Sequence, residues 1–103
     1  MDEIDSIGID NNTGVCTLAI IDSLDWKKEE DHLILLQEKI NTYLRFIESG
    51  EIYLVYEPAN GKELEIKIYF AHVLTSSCQE FIQYISSILS ESGIQLAYQV
   101  GLD

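Results

Sequence analysis

Between residues 27 and 49 the apolar side chains stop alternating and begin to recur every three or four positions. Leu33, Leu36, Ile40, Tyr43, Leu44 and Ile47 carry the new period, which lays them along one face of an α-helix. Both ends of the segment agree with that reading. Asp25 is placed to cap the first turn with its carboxylate. Glu29, Glu30 and Asp31 follow, where the helix dipole favours negative charge. Gly50 stands just past the last apolar residue, where a left-handed residue commonly ends a helix. A helix of about six turns with a single apolar stripe must bury that stripe against another layer, and this narrows the fold to a few layered arrangements.

The rest of the chain supplies that layer. Ile4 to Ile9 and Val15 to Ile21 read as two strands, joined by Asp10-Asn11-Asn12-Thr13-Gly14, in which Asn and Gly tolerate turn conformations. The second strand is β-branched and apolar on both faces, as suits a central position. Ile52 to Tyr56 reads as a short third strand, followed by a turn through Pro58 and Asn60-Gly61. Leu64, Ile66, Ile68 and Phe70 then alternate with Glu63, Glu65, Lys67 and Tyr69, the two-residue period of a strand with one face in a core. Ser76 with Gln79, or Ser77 with Glu80, offers a capping box for a second helix bearing Phe81, Ile82, Ile85, Ile88 and Leu89. Ser92-Gly93 ends it, and Ile94, Leu96, Tyr98 and Val100 alternate as a last strand.

The expected fold class is therefore α+β, in the order β-β-α-β-β-α-β. Residues 1–103 form one domain: a two-layer sandwich whose mostly antiparallel five-stranded sheet carries two helices on one face. Such a fold leaves the other sheet face open, with Tyr53, Glu63, Glu65, Lys67 and Tyr69 as its expected side chains. Tyrosines beside carboxylates suit a binding surface, although β-propensity alone also favours Tyr there.

Composition bears on function mainly through charge. Eighteen acidic residues face six basic ones, for a net charge of −12. That excludes nucleic acid and anionic membrane as expected partners, because phosphate contacts need Lys and Arg. It favours association with a basic protein through electrostatic steering, while also serving solubility. The imbalance is uneven: residues 1–31 hold nine acids and two lysines, a net −7. The two cysteines, Cys16 and Cys78, form no C-x-x-C pair, and a reducing cytoplasm is the expected compartment. No stretch approaches the roughly 20 apolar residues of a membrane-spanning helix.

Sites for chemistry are few. Asp22, Asp25, Glu29, Glu30, Asp31 and His32 make the densest polar cluster, but its spacing matches neither a calcium loop nor a zinc site. Consecutive helical residues also point in different directions, so no metal is expected. His72 and Cys78 could pair as base and nucleophile, yet cysteine is more often simply buried. Nucleotide-binding, zinc-protease and serine-hydrolase motifs are absent. No catalytic residue and no cofactor is expected.

The run Asp22-Ser23-Leu24-Asp25-Trp26, then Glu30 to Asn41 and Tyr43 to Gly50, resembles a family of small bacterial proteins known only as a domain of unknown function. The family pattern is D-x-L-D-W, then E-x-H-L-x-L-L-Q-E-K-I-N-x-Y-L-x-F-I-E-S-G. The resemblance is close over residues 22–50 and holds elsewhere by element order. It implies a bacterial source and a standalone domain, and it implies no mechanism. Trp26, at the helix entrance, fits a hydrophobic staple against the fourth helical position.

These features together lead us to expect a small acidic protein-binding domain, of the immunity type that inhibits a basic, nuclease-like toxin. The expected interface is Asp22, Asp25, Trp26, Glu29, Glu30 and Asp31. The alternatives are a self-associating structural domain, such as a homodimer, and a small-molecule-binding protein.

Overall fold

A computed structural model describes residues 4–101. One sheet of four strands, in the spatial order β1-β2-β3-β4, is formed by Ser6–Ile9, Cys16–Asp22, Leu64–Phe70 and Ile94–Val100. Three helices join them: α1, Glu29–Glu48; α2, Glu51–Val55; and α3, Ser76–Glu91. A 3₁₀ turn spans Glu57–Ala59. The fold is α+β, as the periodicities predict.

Two expectations are corrected. The sheet has four strands among the described residues, not five, and it is not mostly antiparallel. Only β1 and β2 run antiparallel, while β2–β3 and β3–β4 are parallel. Both corrections follow from residues 52–56, expected as a strand: the first four belong to α2 and Tyr56 is its C-cap. Both edges of β3 are occupied by parallel neighbours, so no edge is left for a hairpin partner there. Gly50 turns the chain at φ +81, and one further helical turn drops Ile52 into the core. Leu54 and Val55 are left exposed.

The alternation expected for β3 holds residue by residue. Leu64, Ile66, Ile68 and Phe70 are buried, and Glu65, Lys67 and Tyr69 are half-exposed. In register beside them lie Cys16, Leu18, Ile20 and Asp22 of β2 and Ile94, Leu96, Tyr98 and Val100 of β4. Leu36, Ile40, Tyr43 and Ile47 of α1, Ile52 of α2, and Cys78, Ile82 and Leu89 of α3 pack onto this face as one core. The helices thus share one side of the sheet, as expected. On the open side Glu65, Lys67 and Tyr69 are joined by Thr17, Ala19 and Ile21. Two residues expected there lie elsewhere: Tyr53 is on α2, against the core, and Glu63 precedes β3.

The caps also differ in detail. The residue before α1 is Lys28, with no side-chain cap; the Asp25 carboxylate instead accepts from the Lys27 N–H at 3.1 Å. Thr75, not Ser76 or Ser77, caps α3, its hydroxyl accepting from the Cys78 N–H at 3.1 Å.

Candidate functional site

The carboxyl end of β2 is where sheet, loop and α1 converge. In sheets with parallel strands, the crevice outside the carboxyl ends is the usual place for ligands. Asp22 is the last residue of β2 and points to the helix side, continuing the row Cys16, Leu18, Ile20. Its carboxylate is buried, with the residue 7% exposed, and meets His32, 3% exposed, from the first turns of α1. His32 Nε2 lies 2.7 and 2.6 Å from the two carboxylate oxygens. Its Nδ1 lies 3.0 Å from the Asp25 carbonyl.

Both ring nitrogens therefore face oxygen acceptors. The Asp25 carbonyl can only accept, so Nδ1 donates to it, and Nε2 lies against the Asp22 carboxylate. The same Asp22 carboxylate accepts from the Leu24 N–H at 3.2 Å, and the Asp22 carbonyl accepts from the Ala71 N–H at 2.9 Å. Every polar atom of the imidazole is engaged internally. Neither nitrogen is left to move a proton on a substrate, so the pair works as a clamp that folds the 23–28 loop back over the sheet end.

Trp26 closes this clamp. Its ring stacks on His32 at 3.7 Å between centroids, 21° from parallel. His32 is the fourth residue of α1, so the contact is a staple one position longer than the usual N′ form. Trp26 also reaches Phe70 at 6.4 Å, and Phe70 meets Tyr98 edge-on at 6.0 Å. An aromatic row thus crosses the carboxyl ends of three strands.

The expected interface residues divide accordingly. Asp22 is buried in the clamp and Trp26 is half-buried upon it, whereas Asp25, Glu30 and Asp31 are exposed and Glu29 is half-buried. The structure brings Asp22 together with His32 and Trp26, and leaves the other acids facing outward.

Cys78 lies beneath the same end. Burial first, then the negative charges of Asp22 and Glu29, push its thiol up to about 12. A thiol held that far up is protonated and inert at neutral pH. His72, the base it could have paired with, is exposed in the loop after β3. Cys16 and Cys78 are both free and buried, and burial raises Cys16 as well. Among the described residues no group of three or more His, Cys, Asp or Glu side chains could hold a metal ion. Nor is any described helix long and apolar enough to cross a membrane.

Beside the clamp a groove of ≈ 580 Å³ runs between the end of β2 and α1. Ile20, Ile21, Asp22, Ser23 and Leu24 line one wall; His32, Leu35, Lys39 and Thr42 line the other. Ile21, Leu24 and Leu35 are 46%, 48% and 52% exposed there. A brace that sequence reasoning missed crosses its far end. Tyr43 donates its hydroxyl proton to the Ala19 carbonyl and accepts from the Asp5 N–H at 2.8 Å. Asp5 then accepts from the Ile21 N–H and from Lys39, each at 2.9 Å. Burial pushes the Asp5 carboxyl up, but the Ile21 N–H, Lys39 and Tyr43 outweigh it and hold the group below its ordinary value. Burial raises the Tyr43 hydroxyl to about 12.

This arrangement accompanies a family match over nearly all of the chain. The chain belongs to DUF6572, a family of unknown function, whose model covers residues 1–101. No curated protein and no solved structure matched the chain. Membership in DUF6572 thus carries no activity, and the reading of function rests on the site itself.

Proposed function

We propose that this DUF6572 chain is an acidic protein-binding domain that occludes a basic partner, in the manner of an immunity protein blocking a nuclease-like toxin. One observation carries the reading. Of the polar groups that could do chemistry, Asp22 and His32 are buried and engaged with each other and Cys78 is buried, while Asp25, Glu30 and Asp31 stand exposed. Carboxylates held on a rigid helix start can occupy a cationic cleft without rearranging. A net charge of −12 speeds the encounter. Asp22 and Trp26 contribute from beneath, by holding the loop that carries Asp25. On this reading the domain is not an enzyme, binds neither nucleic acid nor membrane, needs no cofactor, and works in a bacterial cytoplasm, where two free cysteines persist.

The test uses the purified domain as bait in lysate of its native cell at low salt, with elution by a salt gradient and identification by mass spectrometry. The expected result is one basic protein retained stoichiometrically, released steeply by salt, and lost when Asp25, Glu30 and Asp31 are reversed to Lys. Early elution of scattered basic proteins, unaffected by the reversal, would show that the acidity serves solubility.

The open sheet face favours a second reading. There Glu65, hydrogen-bonded to Thr17 at 2.8 Å, sits beside Lys67, whose ammonium lies 5.1 Å from the Tyr69 ring centroid. A face on which one acid and one base offset each other in so acidic a chain suits self-association. Light scattering across concentration separates the readings, since a monomer at about 50 µM removes a stable homodimer.

A further inference from the structure

The two edges of the sheet are built differently. An edge strand is kept from pairing with other chains by shortness, charge, proline or a bulge. β1 is four residues long, with Asp5 and Asp10 at its two ends and the undescribed residues 1–3 ahead of it. β4, Ile-Gln-Leu-Ala-Tyr-Gln-Val, is seven residues long and carries neither charge nor proline. It pairs with β3 rung for rung from Ile94 to Val100, so no bulge interrupts it. Residues 102–103 are no longer than the turn a returning strand would need.

The direction of the β4 backbone groups follows from its ladder. Gly101 N–H bonds the Phe70 carbonyl at 2.7 Å, which turns the odd-numbered residues toward β3. Backbone groups alternate along a strand, so those of Leu96, Tyr98 and Val100 point away from the sheet. They have no partner among the described residues. The side chains of the same residues share the helix side with Ile66, Ile68 and Phe70, which are buried, yet Tyr98 and Val100 are 46% and 41% exposed. The edge thus leaves both main-chain groups and an apolar row uncovered.

We propose that β4 pairs antiparallel with β4 of a second copy of this chain, joining two sheets edge to edge. Such pairing rests on the self-association reading above, placed at the edge of the sheet instead of its open face. It leaves Asp25, Glu30 and Asp31, on α1 and the loop before it, free for a basic partner. Charge selects the occupant. From residue 68 to residue 101 the only Asp, Glu, Lys or Arg residues are Glu80 and Glu91. In a chain at −12 this neutral edge is where a like-charged copy meets least repulsion, and it gives a basic protein nothing to be steered by. Glu63 borders the start of β4, one rung before the Leu64–Ile94 pair. Two-fold symmetry puts the Glu63 carboxylates of the two copies at opposite ends of the contact, about 25 Å apart, where salt screens them.

The sequence of β4 also complements itself, as a two-fold interface requires. An axis through Ala97, its middle residue, overlaps the two strands over their whole length. Leu96 of either copy then stands opposite Tyr98 of the other, Ile94 opposite Val100, and Gln95 opposite Gln99. The outward N–H and C=O groups of the first two pairs bond each other. Ala97 meets its own counterpart in a pair without hydrogen bonds, where side chains come closest and a methyl group fits. Above the edge, Ser86 and Ser90 of α3 lie beside Ile94 and Leu96. Both are small and uncharged, so the two α3 helices can close over the apolar pairs.

The test uses the full chain. Light scattering is expected to find a dimer at about 50 µM. In that dimer the Leu96 and Tyr98 amides exchange at least about tenfold more slowly than in an unstructured chain, although a single copy gives them no acceptor. Ala97→Cys places two thiols on Cα atoms about 4.5 Å apart, within disulfide reach, and is expected to cross-link under glutathione disulfide. Gln95→Cys, which faces Gln99, is expected not to, and the native Cys16 and Cys78 are buried. Val100→Pro removes an outward N–H without touching a rung to β3. It is expected to weaken the dimer about tenfold and to leave the unfolding midpoint in place. A monomer at about 50 µM overturns the proposal together with the self-association reading. A dimer whose Leu96 and Tyr98 amides stay unprotected overturns edge pairing alone, and so does failure of the folded Ala97→Cys dimer to cross-link. Dispersal of that dimer by Tyr69→Ala would then return the contact to the open face. The basic-partner reading stands or falls separately, on the salt-gradient capture.

Discussion

Two carboxylate–nitrogen pairs, Asp22 with His32 and Asp5 with Lys39, flank one groove, and they hold it by different means. At the near end Asp22 meets His32 with the side chains 6% and 3% exposed. At the far end Asp5 meets Lys39 with the side chains 25% and 40% exposed. A buried pair contributes little compared with apolar residues in its place, but removing one partner strands a charge in low dielectric. A surface pair is screened by water and contributes little whether kept or broken. The clamp at Asp22 is thus a point where the fold cannot give way, and the brace at Asp5 one where it can. That contrast places rigidity under the exposed acids and adaptability around Asp5.

The largest test of the contrast is Asp22→Ala, expected to cost about 3–5 kcal/mol in urea unfolding because His32 loses its acceptor. Replacing both members, Asp22→Leu with His32→Leu, is expected to recover most of that loss; a double variant as weak as the single one would break the buried-charge account. Trp26→Ala comes next, at about 2–3 kcal/mol, the figure for a large aromatic of which part remains exposed. Tyr43→Phe removes only the hydroxyl that bridges Ala19 and Asp5, and is expected to cost about 1–2 kcal/mol, with faster hydrogen exchange at the Asp5 amide. Asp5→Asn is the smallest, at most about 1 kcal/mol and shrinking in high salt. Acid titration sharpens this last comparison. The Asp5 carboxyl is held below its ordinary value of 3.8, so its contribution is complete above that pH and is lost as pH falls through the folded value. Wild type should show that acid loss, and Asp5→Asn should lack its share of it.

Much of this architecture could be read from period and turn chemistry. The stripe from Leu33 to Ile47, the strict alternation from Leu64 to Phe70, and the Asp10–Gly14 turn each arose from local patterns that burial then reinforced. The parallel pairing could not be read, because the five apolar or aromatic residues at 52–56 suit a strand as well as one helical turn. Only the competition for the edges of β3 decides between them. The clamp was half legible. His32 stands at the head of the buried series Leu36, Ile40, Tyr43 and Ile47, so its position on the apolar stripe marked it as a histidine needing a partner. Which acid it takes depends on how the 23–28 loop returns, and no spacing rule encodes that. The Asp5–Tyr43–Lys39 brace joins residues more than thirty positions apart and left no sequence signal.

The central claim is that the outward carboxylates carry recognition while the inward one carries the fold. Its most direct test is the affinity of the captured basic protein for wild type and for the triple variant Asp25→Asn, Glu30→Gln, Asp31→Asn, by calorimetry at two salt concentrations. We predict that the variant binds at least about tenfold more weakly, with a flatter salt dependence, and unfolds at the wild-type midpoint. An unchanged affinity with an unchanged salt dependence would contradict the account.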